Sequence, residues 1–200
     1  GHALQTSSQA IFGARRAGIL SGIPNHVPML TINRLCGSGA QSVVSAAQMI
    51  MLGEAETVVA GGMENLSQAP HVLRDERTTY KLGRSPRKGE EIPRDMEDYF
   101  FTNLRDDVCG YFMAQTSDEL CKMLDVSRED ADSFAALSHQ RAENSIRNGI
   151  WEDEIVEVIT PDGVLGISHD DHVVIGTTVE SLSGLRTHFG PDSLVTAGNA

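Results

Sequence analysis

The chain has 200 residues, 40% of them hydrophobic and 22% charged, an ordinary globular composition that supplies one or two cores and excludes a wholly disordered chain. Sixteen basic and 28 acidic residues give a formal net charge of −12, the wrong sign for a general binder of nucleic acid or anionic membranes, and no apolar run is long enough to span a bilayer. Three cysteines without a C-x-x-C pair argue against a disulfide framework or a structural zinc site and favour a reducing compartment.

The beginning of the chain alternates helical and extended patterns. Small and apolar residues at helical spacing predict a helix over 8–22, and a short apolar run predicts a buried strand over 27–32. The segment 38–52 is apolar on most faces, which predicts a second, buried helix, and 57–60 predicts a second buried strand. Strand, helix and strand in this order predict a parallel pair of strands with a right-handed crossover.

Seven of the 16 basic residues fall within 74–94, together with prolines, glycines and interleaved acids. This segment has no clear period and predicts a long surface excursion. Beyond it, Ser127 and Asp130 form the pattern of a capping box that predicts a long helix ending at Gly149. The other elements predicted there are helices over 117–124, 127–148 and 179–185 and strands over 155–159, 173–175 and 193–196.

The most informative segment runs from Asn33 to Gly39, where a cysteine follows a predicted strand and precedes a predicted helix. At a helix N-terminus, unpaired N–H groups and the helix dipole favour thiolate over thiol, which suits Cys36 as a nucleophile. Gly37 and Gly39, on either side of Ser38, allow a carbonyl to approach the backbone, whose N–H groups can hold an oxyanion. A small buried core cysteine also fits the pattern, and the spacing alone slightly favours that interpretation.

Three motifs in register carry a resemblance to a known family. They are NRLCGSG from Asn33, GGMENLS from Gly61 and VTAGNA from Val195. The chain resembles the thiolases, and most closely the mitochondrial type of 3-ketoacyl-CoA thiolase. If so, the start of the family's first half and the whole of its second half lie outside the 200 residues.

The resemblance implies an α/β fold, the thiolase fold with its α/β/α/β/α layers, of which this chain supplies the N-terminal half and its inserted loop domain. Residues 1–66 then belong to the N-terminal half-domain, 67–192 form the inserted CoA-binding loop domain, and 193–200 return into the N-terminal half. The motif from Gly61 to Glu64 is expected to pack beside the nucleophile helix, with Glu64 interpreted as a loop carboxylate.

The resemblance also implies a reaction. Thiolases cleave a 3-ketoacyl-CoA with CoA in fatty-acid β-oxidation, or run the reverse condensation, and Cys36 matches the nucleophile that carries the acyl group. The family's His and second Cys, which act as bases, belong to the C-terminal half, so residues 1–200 alone are expected to be inactive and none of their histidines is nominated. CoA is a substrate here, with no resident cofactor and no metal.

Four residues match positions that contact substrate or CoA in relatives: Phe112, Met113, Thr177 and Arg186. Met113 is expected to line the acyl pocket, while Phe112 replaces a His of short-chain relatives and is equally a pocket wall or a core aromatic. Arg186 matches an arginine at the adenine end of CoA, and a solvated surface arginine is an equal alternative. For 74–94, a solvated surface is favoured over contact with CoA phosphates, because acids are interleaved.

The remaining implications concern partners and alternatives. The family implies a homodimer or homotetramer, acyl-CoA and CoA as partners, no nucleic acid, and a mitochondrial location, otherwise a cytoplasmic one. A thiolase-like protein that binds or condenses acyl-CoA without thiolysis is one alternative. A helix-turn-helix over 117–147 is another, but seven acids against four bases leave it at −3, the wrong sign for a DNA-binding face. Cys109 and Cys121 are interpreted as core thiols.

Overall fold

The computed structural model describes residues 1–73, 96–160 and 162–200. They divide into two compact units, Gly1–Leu104 and Arg105–Ala200. The helices of the described residues are α1 (Gly13–Leu20), α2 (Ser38–Met51), α3 (Tyr99–Asn103), α4 (Met113–Leu124), α5 (Arg128–Arg147) and α6 (Val179–Ser183). The strands are β1 (His71–Leu73), β2 (Met96–Asp98), β3 (Val158–Ile159) and β4 (Leu165–Ile167).

The predicted parallel strand pair of the first unit is wrong. Residues 27–32 and 57–60 are irregular, because neither segment has a hydrogen-bonded ladder with a neighbour. Single hydrogen bonds to the start of the chain are found where a ladder of strand hydrogen bonds was expected. The N–H of His2 donates to the Ile32 carbonyl at 2.9 Å, and the N–H of Met63 donates to the Gly1 carbonyl at 3.1 Å. A strand exists only where a neighbour supplies the ladder, which an apolar run cannot guarantee.

Helix α2 lies as predicted, but the expectation that it is buried is wrong within the described residues. Only Ser38 and Ala46 of this helix are buried, while Val43 is 59% exposed and Met51 85% exposed. Its apolar surface is therefore not covered by the residues that the structure describes. Helix α1 occupies only the later part of the predicted 8–22, because residues 8–12 form turns instead.

A small antiparallel pair closes the first unit. Strands β1 and β2 pair with His71 opposite Asp98, and α3 follows at once with the Asp98 carboxylate accepting from the N–H of Phe100 at 2.8 Å. The basic segment 74–94 lies outside the described residues, so the prediction of a surface excursion there is neither supported nor opposed.

The second unit contains α4, α5 and α6, of which α5 packs against α6. Helix α4 begins at Met113, earlier than predicted, and α5 covers the predicted long helix with Ser127 as its N-cap. In α5 and α6, Ala136 and Leu182 are 2% and 4% exposed. An added Cβ at Gly198 would lie 2.5 Å from Leu182 Cδ2 and 2.6 Å from Leu185 Cδ1, so a larger residue would require these side chains to move.

Two predicted strands of the second unit are absent because side chains satisfy their backbone groups. The N–H of Val174 donates to His139 Nδ1 at 3.3 Å, and the N–H of Leu194 donates to Asp118 Oδ1 at 2.8 Å. Neither 173–175 nor 193–196 forms a strand, and the latter has one isolated bridge, Thr187 to Thr196. The predicted strand 155–159 is shortened to β3, which pairs with β4 in an antiparallel hairpin.

The cap of α5 predicts a pH-dependent contribution to stability. Asp130 Oδ2 accepts from the Ser127 hydroxyl at 2.5 Å and from the Ser127 N–H at 3.0 Å. These hydrogen bonds lower the pKa of Asp130 below its ordinary 3.8, and the bond from the Ser127 hydroxyl has the larger effect. A carboxylate whose folded pKa is depressed stabilises the fold above its unfolded pKa, and the contribution is lost as pH falls through the folded value.

We therefore expect Asp130→Asn to lower the urea midpoint of unfolding at pH 6, with a difference from wild type that shrinks below pH 3.8, the ordinary value for aspartate. Glu129→Gln, in the same helical turn, is the matched control and should not reproduce this pH dependence. A difference for Asp130→Asn that stays constant from pH 6 to pH 3 would contradict the role of the capping hydrogen bonds.

Candidate active site

The turn that leads into α2 contains a residue in an unusual backbone conformation. Leu35 has a φ of 46°, in the left-handed region that is uncommon for residues other than glycine. Its side chain is 58% exposed, so packing does not account for the conformation. Such strain clusters at functional sites, where the surrounding structure holds it in place.

Hydrogen bonds secure both peptide groups of Leu35. Its N–H donates to Asn33 Oδ1 at 2.9 Å, in the manner of an Asx turn. Its carbonyl accepts from the Ser38 hydroxyl at 2.6 Å and from the Ser38 N–H at 2.9 Å. The Ser38 hydroxyl also accepts from the N–H of Arg34 at 2.9 Å, and Ser38 is 4% exposed.

Cys36 follows Leu35 and is exposed. The peptide bond between them is trans, so the Cys36 N–H points away from the Leu35 carbonyl, which faces Ser38. Neither this N–H nor the thiol makes a hydrogen bond among residues 1–73. An added Cβ at Gly39 would meet nothing within 4 Å. The start of α2 thus presents a thiol, a free N–H and open space on its solvent side.

The Glu64 carboxylate and the His2 ring interact at the start of the chain, near this turn. Glu64 accepts from the N–H groups of Ala3 and Leu4 at 2.9 and 3.0 Å. His2, 4% exposed, places Nε2 3.3 Å from Glu64 Oε1 and Nδ1 3.3 Å from the Ala10 carbonyl. Glu64 lies in a segment without regular secondary structure, as its interpretation as a loop carboxylate expects, and it binds the start of the chain.

The GGMEN segment packs beside α2 as expected. The Ser42 hydroxyl of α2 donates to the Gly61 carbonyl at 2.9 Å, and an added Cβ at Gly62 would lie 3.7 Å from Gly39 Cα. The Gly1 carbonyl oxygen would lie 3.3 Å from the same Cβ, so space is short at Gly62, whereas a Cβ at Gly61 would meet nothing within 4 Å. The first and second motifs of the sequence thus meet at the start of α2.

The predicted substrate contacts of the second unit lie at two places within it. Phe112 is the N-cap of α4, and its ring lies 5.7 Å from the ring of Phe189, centroid to centroid. Met113 begins α4 and is 43% exposed. Phe112 is half-buried against another aromatic ring, while Met113 offers an accessible apolar surface.

Thr177 and Arg186 flank α6. Thr177 is 5% exposed, and its hydroxyl donates to the Val174 carbonyl at 2.7 Å. Arg186 is exposed and makes no ion pair or hydrogen bond within the described part of its unit. The arginine is free to meet an anion, whereas the threonine hydroxyl is already engaged by the fold.

The other cysteines differ from Cys36 in their surroundings. Cys109 is exposed, which makes its interpretation as a core thiol wrong, because it lies in a polar turn whose N–H groups are bound by Asp106. Cys121, within α4, is half-buried. Among the described residues no cluster of three or more His, Cys, Asp or Glu could hold a metal ion, and no helix there is long and apolar enough to cross a membrane.

The sequence alone did not reveal that Asn33 and Ser38 shape the turn or that Glu64 binds the start of the chain. Asn33 and Ser38 lie inside the recognised motif, and an Asx pattern two residues before Leu35 was an available signal. The partnership of Glu64 with Ala3 and His2 had no local signal, because these residues are about sixty positions apart.

Comparisons with known proteins agree with this geometry. The family model for the N-terminal domain of thiolase matches residues 1–200. The human mitochondrial 3-ketoacyl-CoA thiolase is 41% identical across the whole chain, which covers 49% of that protein. An acetyl-CoA acetyltransferase of Pseudomonas aeruginosa is 38% identical over 94% of the chain and 46% of its own length.

Solved structures give the same result for the fold. A crystal structure of the human mitochondrial 3-ketoacyl-CoA thiolase in complex with CoA superimposes with a TM-score of 0.87 at 40% identity, and it covers all of this chain and 48% of that one. The chain spans about half the length of the curated relatives it matches. With the three motifs in place and the fold shared, the chain belongs to the thiolase family and has the fold of its N-terminal domain.

Proposed function

We propose that the chain is the nucleophile-bearing part of a 3-ketoacyl-CoA thiolase, an acyltransferase that forms an acyl-enzyme on Cys36 and passes the acyl group to CoA. The observation that carries the proposal is the exposed Cys36 thiol at the start of α2, beside its own N–H, which has no acceptor among residues 1–73. The names of the relatives, 3-ketoacyl-CoA thiolase and acetyl-CoA acetyltransferase, support the substrate class.

In the first step the Cys36 thiolate attacks the 3-keto carbonyl of the substrate. The new S–C bond pushes the carbonyl electrons onto oxygen, and the Cys36 N–H is available to donate to that oxyanion. When the carbonyl re-forms, the bond between C2 and C3 breaks. Acetyl-CoA leaves as its enolate and takes up a proton, and the acyl group stays on Sγ.

In the second step the thiolate of CoA attacks the thioester on Cys36. The S–C bond to the enzyme breaks, the shortened acyl-CoA leaves, and the Cys36 thiolate returns. Both acyl carriers are thioesters of similar energy, so the transfer is reversible, which a serine ester would not allow. The resemblance assigns both proton transfers to a His and a Cys outside the 200 residues, and no histidine of residues 1–73 hydrogen-bonds Cys36.

We extend the proposal to contacts with acyl-CoA by Phe112, Met113, Thr177 and Arg186. Arg186 has the most support, since its guanidinium is exposed and has no partner in the described part of its unit, which suits an anionic group. Met113 is supported by its exposed apolar side chain. Thr177 has the least support, because its hydroxyl already donates to Val174. CoA acts as substrate here, as the CoA complex of the human relative supports.

The proposal includes the organisation expected from the resemblance. Residues 67–192 would serve as the CoA-binding loop domain between the half-domain parts 1–66 and 193–200. The intact protein would be a homodimer or homotetramer. A mitochondrial site of action follows the mitochondrial relative, with the cytoplasm as the alternative. A thiolase-like protein that condenses or binds acyl-CoA without thiolysis is the competing function, and absence of turnover with CoA would favour it.

Trapping the acyl-enzyme tests the proposal. Intact protein incubated with acetyl-CoA and digested at acidic pH should carry an acetyl group on the peptide that contains Cys36. Cys109 is the internal control, because it is also exposed but lacks a helix start. Addition of CoA should remove the label. Acetyl on Cys109 or Cys121 instead would disprove the assignment.

A further inference from the structure

The left-handed conformation of Leu35 requires a cause outside its own side chain. Leucine disfavours this region because its Cβ approaches the following carbonyl. The Leu35 side chain is 58% exposed, so contacts of that side chain do not compensate. The conformation must therefore be imposed through the backbone.

Two side chains from opposite directions impose it. Asn33 Oδ1 fixes the peptide group before Leu35 by accepting its N–H at 2.9 Å. The Ser38 hydroxyl fixes the peptide group after Leu35 by donating to its carbonyl at 2.6 Å. When both flanking peptide planes are held, the φ and ψ of Leu35 are held as well.

Asn33 is itself held in place. Its Nδ2 donates to the Ala3 carbonyl at 2.8 Å, so the amide cannot turn without losing this bond. The N–H of Ala3 in turn donates to Glu64 Oε2 at 2.9 Å. A continuous series of hydrogen bonds thus runs from the Glu64 carboxylate through Ala3 and Asn33 to Leu35.

The direction of the Cys36 N–H depends on this arrangement. Because the Leu35 carbonyl is directed at Ser38, the N–H on the other side of the same trans peptide points away from the helix, where no described acceptor meets it. If Leu35 relaxed to an ordinary conformation, this peptide would rotate. The N–H and the thiol would then leave the direction from which a carbonyl can approach.

We propose that Asn33 and Ser38 are positioning residues that hold Leu35 in the left-handed conformation and so aim the thiol and N–H of Cys36. The effect of this role on catalysis rests on the proposed function. Its effect on the reactivity of the Cys36 thiol rests only on the geometry of the turn. Neither side chain touches the reacting atoms.

The test is a double-mutant cycle between positions 33 and 35 in the intact protein. Asn33→Ala should slow iodoacetamide alkylation of Cys36, followed by peptide mass spectrometry, and lower kcat for thiolysis, each about tenfold. The same substitution made in a Leu35→Gly background should cost less than about threefold, because glycine adopts the left-handed region freely. A role of Asn33 in folding alone would give the same loss in both backgrounds.

Ser38→Ala and Ser42→Ala form the matched pair for the other side of the turn. Both hydroxyls belong to α2, but that of Ser42 donates to Gly39 and Gly61 rather than to Leu35. Ser38→Ala should slow alkylation of Cys36 and Ser42→Ala should not. Equal effects of Asn33→Ala in the two backgrounds, or equal effects of the two serine variants, would overturn the proposal.

The two readouts separate this inference from the proposed function. Coupling between positions 33 and 35 in alkylation, in a protein that performs no thiolysis, would refute the proposed function and support the positioning role. Thiolysis by the wild type with no coupling in either readout would support the proposed function and refute the positioning role. Thermal unfolding of each variant, followed by circular dichroism, identifies any loss of rate that comes from unfolding.

Discussion

Replacement of Cys36 by serine in the intact protein is expected to lower kcat for thiolysis by about 10⁴-fold or more. The serine hydroxyl is a far weaker nucleophile than a thiolate at neutral pH. An acyl group that did reach the oxygen would form an ester, which is lower in energy than a thioester and would not return to CoA. The measurement is the loss of 3-ketoacyl-CoA absorbance in the presence of CoA.

Cys109→Ser is the matched control for this substitution. The Cys109 thiol is also exposed, so its replacement reports on general effects of losing an accessible thiol. It should leave thiolysis unchanged. A Cys36→Ser variant that keeps more than about a tenth of the wild-type rate would contradict the nucleophile assignment, since loss of a covalent nucleophile has a far larger effect.

Replacement of Arg128 by methionine is expected to destabilise the protein by about 3–5 kcal/mol, because it leaves a buried carboxylate without its cation. Asp132 is 1% exposed, and its Oδ2 accepts from Arg128 Nε at 2.8 Å. Its Oδ1 accepts from Asn199 at 2.9 Å. Arg128 also donates to the Leu182 carbonyl of α6 at 2.8 Å, so the substitution weakens the packing of α5 on α6. Urea unfolding followed by circular dichroism measures the loss.

The double variant Arg128→Met/Asp132→Leu should be more stable than Arg128→Met alone, since it carries no unpaired buried charge. Lys122→Met is the matched control on the preceding helix. The Lys122–Glu119 pair has side chains 58% and 50% exposed, and its loss should leave the urea midpoint unchanged. An Arg128→Met variant as stable as this control would show that the ion pair contributes nothing.

The local signals of the sequence were sufficient for the helices that matter most to the site. Helix α2 begins at Ser38 as predicted, directly after the Cys36–Gly37 pair. Helix α5 begins after Ser127, whose hydroxyl accepts from the N–H of Asp130 at 3.1 Å. Both helix starts depend on residues within four positions of one another, and such local interactions can be predicted from the sequence.

The predicted strands are absent because their pairing depends on residues distant in sequence. The segment 27–32 is apolar enough for a strand, yet its Ile32 carbonyl meets the N–H of His2 at one point only. Likewise, 193–196 donates its Leu194 N–H to Asp118, 76 positions away. Which group pairs with a backbone amide is decided by chain segments distant in sequence, so composition could not reveal it.

The candidate site divides in the same way. The sequence by itself determined that Cys36 precedes two glycines at a helix start. Its three motifs were enough to indicate the thiolase family, because these depend on residue order alone. Only the tertiary structure decided that Leu35 is left-handed, that Asn33 and Ser38 hold it, and that Glu64 secures Ala3 behind Asn33. The bonds of Asn33 and Ser38 to Leu35 are local, but those of Asn33 to Ala3 and of Ala3 to Glu64 join residues about thirty and sixty positions apart. Whether such distant residues meet follows from packing and from no local pattern.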